Sequence, residues 1–114
     1  MDDKSCVMNT IKIIGSKWTI LLLRELCESK KRFGELQRAL PGISPKTLSL
    51  RLKQLERDGV VIKKIYAEVP LKVEYSLTPK GQSLKDIIEK MREWGAQKGR
   101  GDTTENQKQL LQMK

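Results

Sequence analysis

Apolar residues recur at helical spacing through the first half of this chain, alternate with polar ones in a central stretch, and return to helical spacing near its end. Val7, Ile11 and Ile14 stand at i, i+4 and i+7, which predicts a short amphipathic helix over residues 6–14, ended by Gly15. From Ser16 or Lys17 to Cys27 most positions are apolar, interrupted by Thr19, Arg24 and Glu25. A helix apolar nearly all round belongs at the centre of a core. Residues 28–32 break the pattern with an exposed turn carrying three consecutive cations. Phe33, Leu36 and Leu40 then share one side of a third helix stopped by Pro41 and Gly42.

The most strongly marked element follows at residues 45–58. Ser44 is an N-cap residue, Pro45 suits the first helical position, and Gly59 stands where a left-handed C-cap belongs. On the helical wheel Leu52 and Leu55 fall within about 40° of Leu48, and the three face a core. The opposite side carries Lys46, Thr47, Leu50, Lys53 and Gln54, flanked by Ser49 and Arg51, with no acid among them.

Beyond Gly59 the period changes. Residues 60–66 are β-branched and alternating, and 72–77 place Val73, Tyr75 and Leu77 on one face. These predict two strands joined by a tip from Ala67 to Leu71, a wing directly behind the capped helix. Thr78 and Pro79 repeat the cap-plus-proline start. Leu84, Ile87, Ile88, Met91 and Gly95 then form the stripe of a long final helix, with Trp94 beside it. This order predicts an α+β fold, mainly α: a winged helix-turn-helix domain over residues 1–98 and a polar, flexible tail over 99–114. The first and last stripes, at 6–14 and 80–97, predict a homodimer contact through Val7, Ile11, Leu84, Ile87, Ile88, Met91 and Trp94.

Charge narrows the function. The 114-residue chain carries a formal net charge of +9. Between Lys30 and Lys64 ten Lys or Arg face only three acids, a balance of +7 around one helix. Such a cluster favours a polyanion, and nucleic acid over a membrane surface, because the cations do not alternate with a Trp- or Phe-bearing apolar face. No run reaches transmembrane length and the acidic start from Met1 to Lys4 does not read as a signal peptide, so a cytoplasmic protein is expected. Without histidine, and with Cys6 and Cys27 too few and too irregularly spaced for a disulfide scaffold or metal site, neither an enzyme nor a cofactor is expected. Cys27 is expected in the core.

In several places the chain resembles the HxlR-type winged helix-turn-helix regulators, relatives of the MarR group. The matching residues are Ile14 to Trp18, Lys31 to Phe33 with Glu35 and Leu36, Ile43 to Lys46 with Leu48, the run from Arg51 to Gly59, the segment 68–81, and Trp94 with Gly95. The resemblance covers roughly residues 6–95. It implies a transcription regulator that binds operator DNA as a homodimer through its first and last helices, with the capped helix in the major groove and the wing on the flanking backbone.

Carried onto this chain, the resemblance makes Lys46, Thr47, Leu50 and Arg51 candidates for base-edge contact. Arg32, Ser44, Lys53, Gln54, Lys64 and Lys72 are the backbone or wing candidates. Two recognition helices about 34–36 Å apart predict an inverted repeat with half-sites one turn apart. Some relatives sense oxidants through a cysteine just before the first helix. Cys6 sits there, followed by Val7 where a proline is common. A thiol at a helix start beside Lys4 is placed for such a reaction. The alternative reading is a non-specific architectural duplex-DNA-binding protein, which needs the charge but not the particular side chains at 46–54. The effector, the operator and the sign of regulation are not legible in the residues.

Overall fold

The computed structural model of the chain describes residues 3–100, with side chains from 5 to 97. Four helices come first: α1 (Asp3–Ile14), α2 (Lys17–Glu28), α3 (Phe33–Ala39) and α4 (Pro45–Arg57). An antiparallel hairpin of β1 (Val61–Tyr66) and β2 (Lys72–Leu77) follows, then a short α5 (Pro79–Gln82) and a long α6 (Lys85–Arg100). The architecture is the expected winged helix-turn-helix, mostly helical with one small sheet.

The fold is assembled around α2. Ser16 caps it, its Oγ accepting from the amide of Thr19 at 3.1 Å and donating to Thr19 Oγ1 at 2.8 Å, so the buried Thr19 hydroxyl is satisfied. Leu22, Leu23 and Leu26 are buried, and α2 packs against α1, α3, α4, β2 and α6. Leu36 and Leu40 come in from α3 and its cap, Leu48, Leu52 and Leu55 from α4, and Val60, Val61, Tyr75 and Leu77 from the root of the hairpin.

Strong local signals place α4. Ser44 Oγ accepts from the Thr47 amide at 3.0 Å, and Pro45 occupies the first turn, where its missing N–H has no intrahelical acceptor to serve. At the other end Asp58 is the C-cap and Gly59 takes φ +74. The amides of Val60 and Gly59 bond back to the carbonyls of Leu55 and Glu56, at 2.9 and 3.0 Å. This paired arrangement closes the last turn and requires the left-handed residue that glycine supplies. The pattern prediction ran one residue past the helix and included Val60 in the strand, where it serves the cap.

Three expectations change. First, α1 begins at Asp3, so Cys6 lies within it and not before it; no glycine or proline stands between them to stop the helix. Second, the final helix is interrupted. Thr78 caps α5 by accepting from the Gly81 amide at 3.1 Å, Ser83 Oγ donates to the Lys80 carbonyl, and α6 starts anew at Lys85 after a turn at Ser83 and Leu84. Third, Leu84 and Ile88, assigned from their spacing to the dimer face, are buried in the chain's own core, because the first turns of α6 lie on α2. Val7, Ile11, Ile87, Met91 and Trp94 are the exposed members of that set, joined by Met8.

The turn before α3 is also more structured than its charges suggest. Lys31 pairs with Tyr75 by two backbone hydrogen bonds, of 3.0 and 2.8 Å, so the turn adds a one-residue third strand to the wing. Among the described residues no single helix is long and apolar enough to cross a membrane. Most of the 99–114 tail, from residue 101 on, lies outside the described residues.

Candidate nucleic-acid interface

With its leucine stripe buried against α2 and β1, α4 presents Lys46, Leu50, Lys53 and Arg57 as an exposed row at i, i+4, i+7 and i+11. Leu50 is 47% exposed, a large aliphatic group in the middle of three cations. That combination matches the major-groove edge, where cations meet phosphates or guanine acceptors and an apolar group meets a thymine methyl. Arg57 was not among the sequence candidates. It sits at about 180° from Leu48 on the same wheel, so the arithmetic that selected Lys46 and Lys53 also contains it.

The shoulder of α4 behaves differently. Thr47, Arg51 and Gln54 are half-buried. Thr47 Oγ1 accepts from the cap hydroxyl of Ser44 at 2.9 Å, and Arg51 Nη1 donates to Gln54 Oε1 at 3.2 Å. Arg51 and Gln54 line a cleft shared with the end of α1 and the start of α2. The structure therefore brings Lys46, Leu50 and Lys53 together outward and turns Arg51 and Gln54 toward α1. Ser44 is exposed beside the row with its hydroxyl engaged in the cap.

The wing supplies a second cationic surface. Cross-strand register sets Lys64 opposite Glu74 and Tyr66 opposite Lys72 on one face of the hairpin. The ammonium groups of Lys64 and Lys72 both lie 5.0 Å from the centroid of the Tyr66 ring, within cation–π range. Glu74 is 3.6 Å from Lys72 and 3.6 Å from Lys30, so it partly neutralises both. Burial pushes the Glu74 pKa up, but a hydrogen bond from Tyr66 and the charges of Lys30 and Lys72 outweigh it and hold the carboxyl below its ordinary value. Lys64 and the neighbouring Lys63 are exposed, and Arg32 is exposed at the start of α3, where its backbone amide donates to Glu35 Oε1 at 2.8 Å. Lys31, by contrast, is folded against Ser29 and Glu28.

The two thiols also part company. Cys6 is exposed on α1. Cys27 is half-buried where α2 meets α6; burial raises its pKa, opposed by Lys85 and reinforced by Glu89.

The helix-turn-helix architecture is shared with known proteins. The HxlR-like helix-turn-helix family model matches residues 13–102. The chain belongs to that family. This HxlR-like protein is 46% identical over 95 residues to YdeP of Bacillus subtilis, named as an uncharacterized HTH-type transcriptional regulator, covering 82% of this chain and 74% of YdeP. The structure of a MarR-family transcriptional regulator from Enterococcus faecalis superposes with a TM-score of 0.79 at 37% identity, over 89% of this chain and 92% of that one. The redox regulator HypR in its reduced form gives a TM-score of 0.79 at 42% identity, over 88% and 97% of the two chains. HypR is also known in an oxidized form of the same architecture, with a TM-score of 0.77. The HxlR-like protein is thus a transcriptional regulator with a helix-turn-helix domain and not an enzyme.

Proposed function

We propose that this regulator reads a specific duplex sequence as a homodimer in the cytoplasm, with α4 in the major groove and the wing on flanking phosphates. The observation that carries the reading is the outward row of α4. Its core stripe is fully buried within the protomer, yet it leaves a large aliphatic side chain, Leu50, exposed among cations. Lys46 and Leu50 are the base-edge readers, with Thr47 beside them. Arg32, Lys53, Arg57, Lys64 and Lys72 contact phosphates, and Ser44 positions the helix end. Arg51 and Gln54 reach a base or phosphate only by leaving the cleft.

Dimerisation is supported by two apolar surfaces that the protomer leaves exposed. Val7, Met8 and Ile11 lie on α1, and Ile87, Met91 and Trp94 on α6. Selection from random duplexes should return an inverted repeat with half-sites one helical turn apart. Failure to enrich any consensus would reject sequence-specific recognition in favour of architectural binding through charge alone.

Cys6 is the redox element of the proposal. It is exposed on the helix assigned to the dimer face, and the related HypR is a redox regulator. Diamide should release the wild-type protein from its site and leave Cys6→Ser bound. Equal release of both would remove Cys6 from the mechanism.

A further inference from the structure

The tip of the wing, between Tyr66 and Lys72, is apolar where the strands behind it are charged. Val69, Pro70 and Leu71 follow one another and all three are exposed, Val69 completely and Leu71 at 66%. Consecutive apolar side chains held out in water are unfavourable unless they serve a contact. The tip is also stiff. Pro70 fixes its own φ, and the Glu68 amide bonds to the Tyr66 carbonyl at 2.9 Å, so little freedom is lost when the tip is seated.

The residues behind the tip indicate what covers it. Lys64 and Lys72 stand at its base, each 5.0 Å from the centroid of the Tyr66 ring, and Lys63 is exposed on the opposite face of β1. The tip itself carries no cation, and Glu68 is its one charged side chain. Attraction for phosphates therefore ends at the base of the tip. Cations in that position fit a polyanion, whereas the core of a protein–protein contact is depleted in lysine. A narrow apolar tip with cations at its base matches the minor groove of a duplex, about 6 Å wide between two rows of phosphates. Leucine and proline are among the side chains that wedge between base pairs there.

We infer that Val69, Pro70 and Leu71 form an apolar wedge that enters the minor groove, opens one base step and bends the duplex, while Lys63, Lys64 and Lys72 hold the phosphates on either side. The inference rests on the proposed DNA-binding reading and deepens it. Beyond the base edges met by α4, the wing selects sequence by the ease with which a step unstacks, favouring pyrimidine–purine steps such as TA and CA/TG.

The test binds the full chain to its selected duplex and to a scrambled one. Energy transfer between dyes at the duplex ends reads the bend, and 2-aminopurine placed step by step beside the α4 contact reads unstacking. Wild type should bend the duplex by about 20–90° and brighten 2-aminopurine at one step per wing. Val69→Ser combined with Leu71→Ser should lose most of the bend and the brightening while keeping the salt slope, because no phosphate contact is removed. Lys64→Ala should do the reverse, lowering the slope by about one unit and keeping the brightening. A straight duplex under wild type, or an unchanged bend with the double variant, would overturn the wedge. So would a DNA-free wild type that sediments as a larger assembly than the double variant, which would place a second copy on the tip. A selected duplex bound but straight leaves recognition by α4 standing. Equal affinity for both duplexes with a wedge-dependent bend removes that recognition and leaves the wedge.

Discussion

Lys80 reaches back to the last turn of the recognition helix, its ammonium nitrogen 2.7 Å from the carbonyl oxygen of Asp58. Beside it the Thr78 hydroxyl donates to the Gly59 carbonyl, and the Thr78 amide bonds to Val60 at 3.0 Å. A cation at the C-terminus of a helix satisfies an orphan carbonyl and complements the helix dipole. The end of α4 is therefore tied to the segment that leads into α6, and α4 and the helix carrying Trp94 share one anchor point.

That anchor depends on close approach at Gly81. A Cβ there would stand 2.2 Å from the Val60 carbonyl oxygen and 3.1 Å from Leu77. Gly81→Ala should destabilise the protein by roughly 3 kcal/mol, the upper part of the overpacking range, as measured by urea denaturation. A change below about 0.5 kcal/mol, the range of surface substitutions, would show that α5 moves without cost.

The two sides of α4 should separate in binding assays. Lys46→Ala should cost about 1–3 kcal/mol of operator affinity and relax preference at one base position. Lys64→Ala should weaken all sequences alike and lower the salt slope by about one unit. Arg51→Ala should cost less than Lys46→Ala, because its guanidinium faces α1. If Arg51→Ala costs more and alters base preference, Arg51 leaves the cleft to read DNA.

Much of this was legible in local signals. Ser44, Pro45 and Gly59 mark both ends of α4 through caps that involve only nearby backbone, and the alternation of Val73, Tyr75 and Leu77 marks β2 in the same way. The orientation of Arg51 was not legible, since the wheel shows it as a flank without showing that this flank lines a cleft shared with the end of α1. The pairing of Lys31 with Tyr75 joins residues far apart in sequence, and no periodicity carries it. Leu84 and Ile88 share a stripe with Ile87 and Met91, but the contact with α2 divides the stripe between the protomer's core and its surface.

Glu74 makes the wing sensitive to acid. Its pKa is lowered in the folded protein, so the stability it contributes is present above the unfolded carboxyl value of about 4.3 and is lost as pH falls through the lower folded value. Urea titrations over roughly pH 3–5 should show a shallower acid limb for Glu74→Gln than for wild type. Identical limbs would mean that Lys30 and Lys72 do not hold the carboxylate.

The exposed apolar faces give a test independent of DNA. Ile11→Glu or Met91→Glu places a charge on a surface assigned to the dimer and leaves the core residues Leu84 and Ile88 untouched. Either variant should sediment as a folded monomer at concentrations where wild type is a dimer. A wild-type protein that is already monomeric at micromolar concentration would contradict the dimer.

The most direct test of the central claim is the ratio of affinities for the regulator's selected site and for a scrambled duplex, measured by fluorescence anisotropy across a salt series. Sequence reading by Lys46 and Leu50 predicts a preference of about 10³ or more at fixed salt. Equal, steeply salt-dependent binding to both duplexes would contradict it and leave charge alone as the basis of binding.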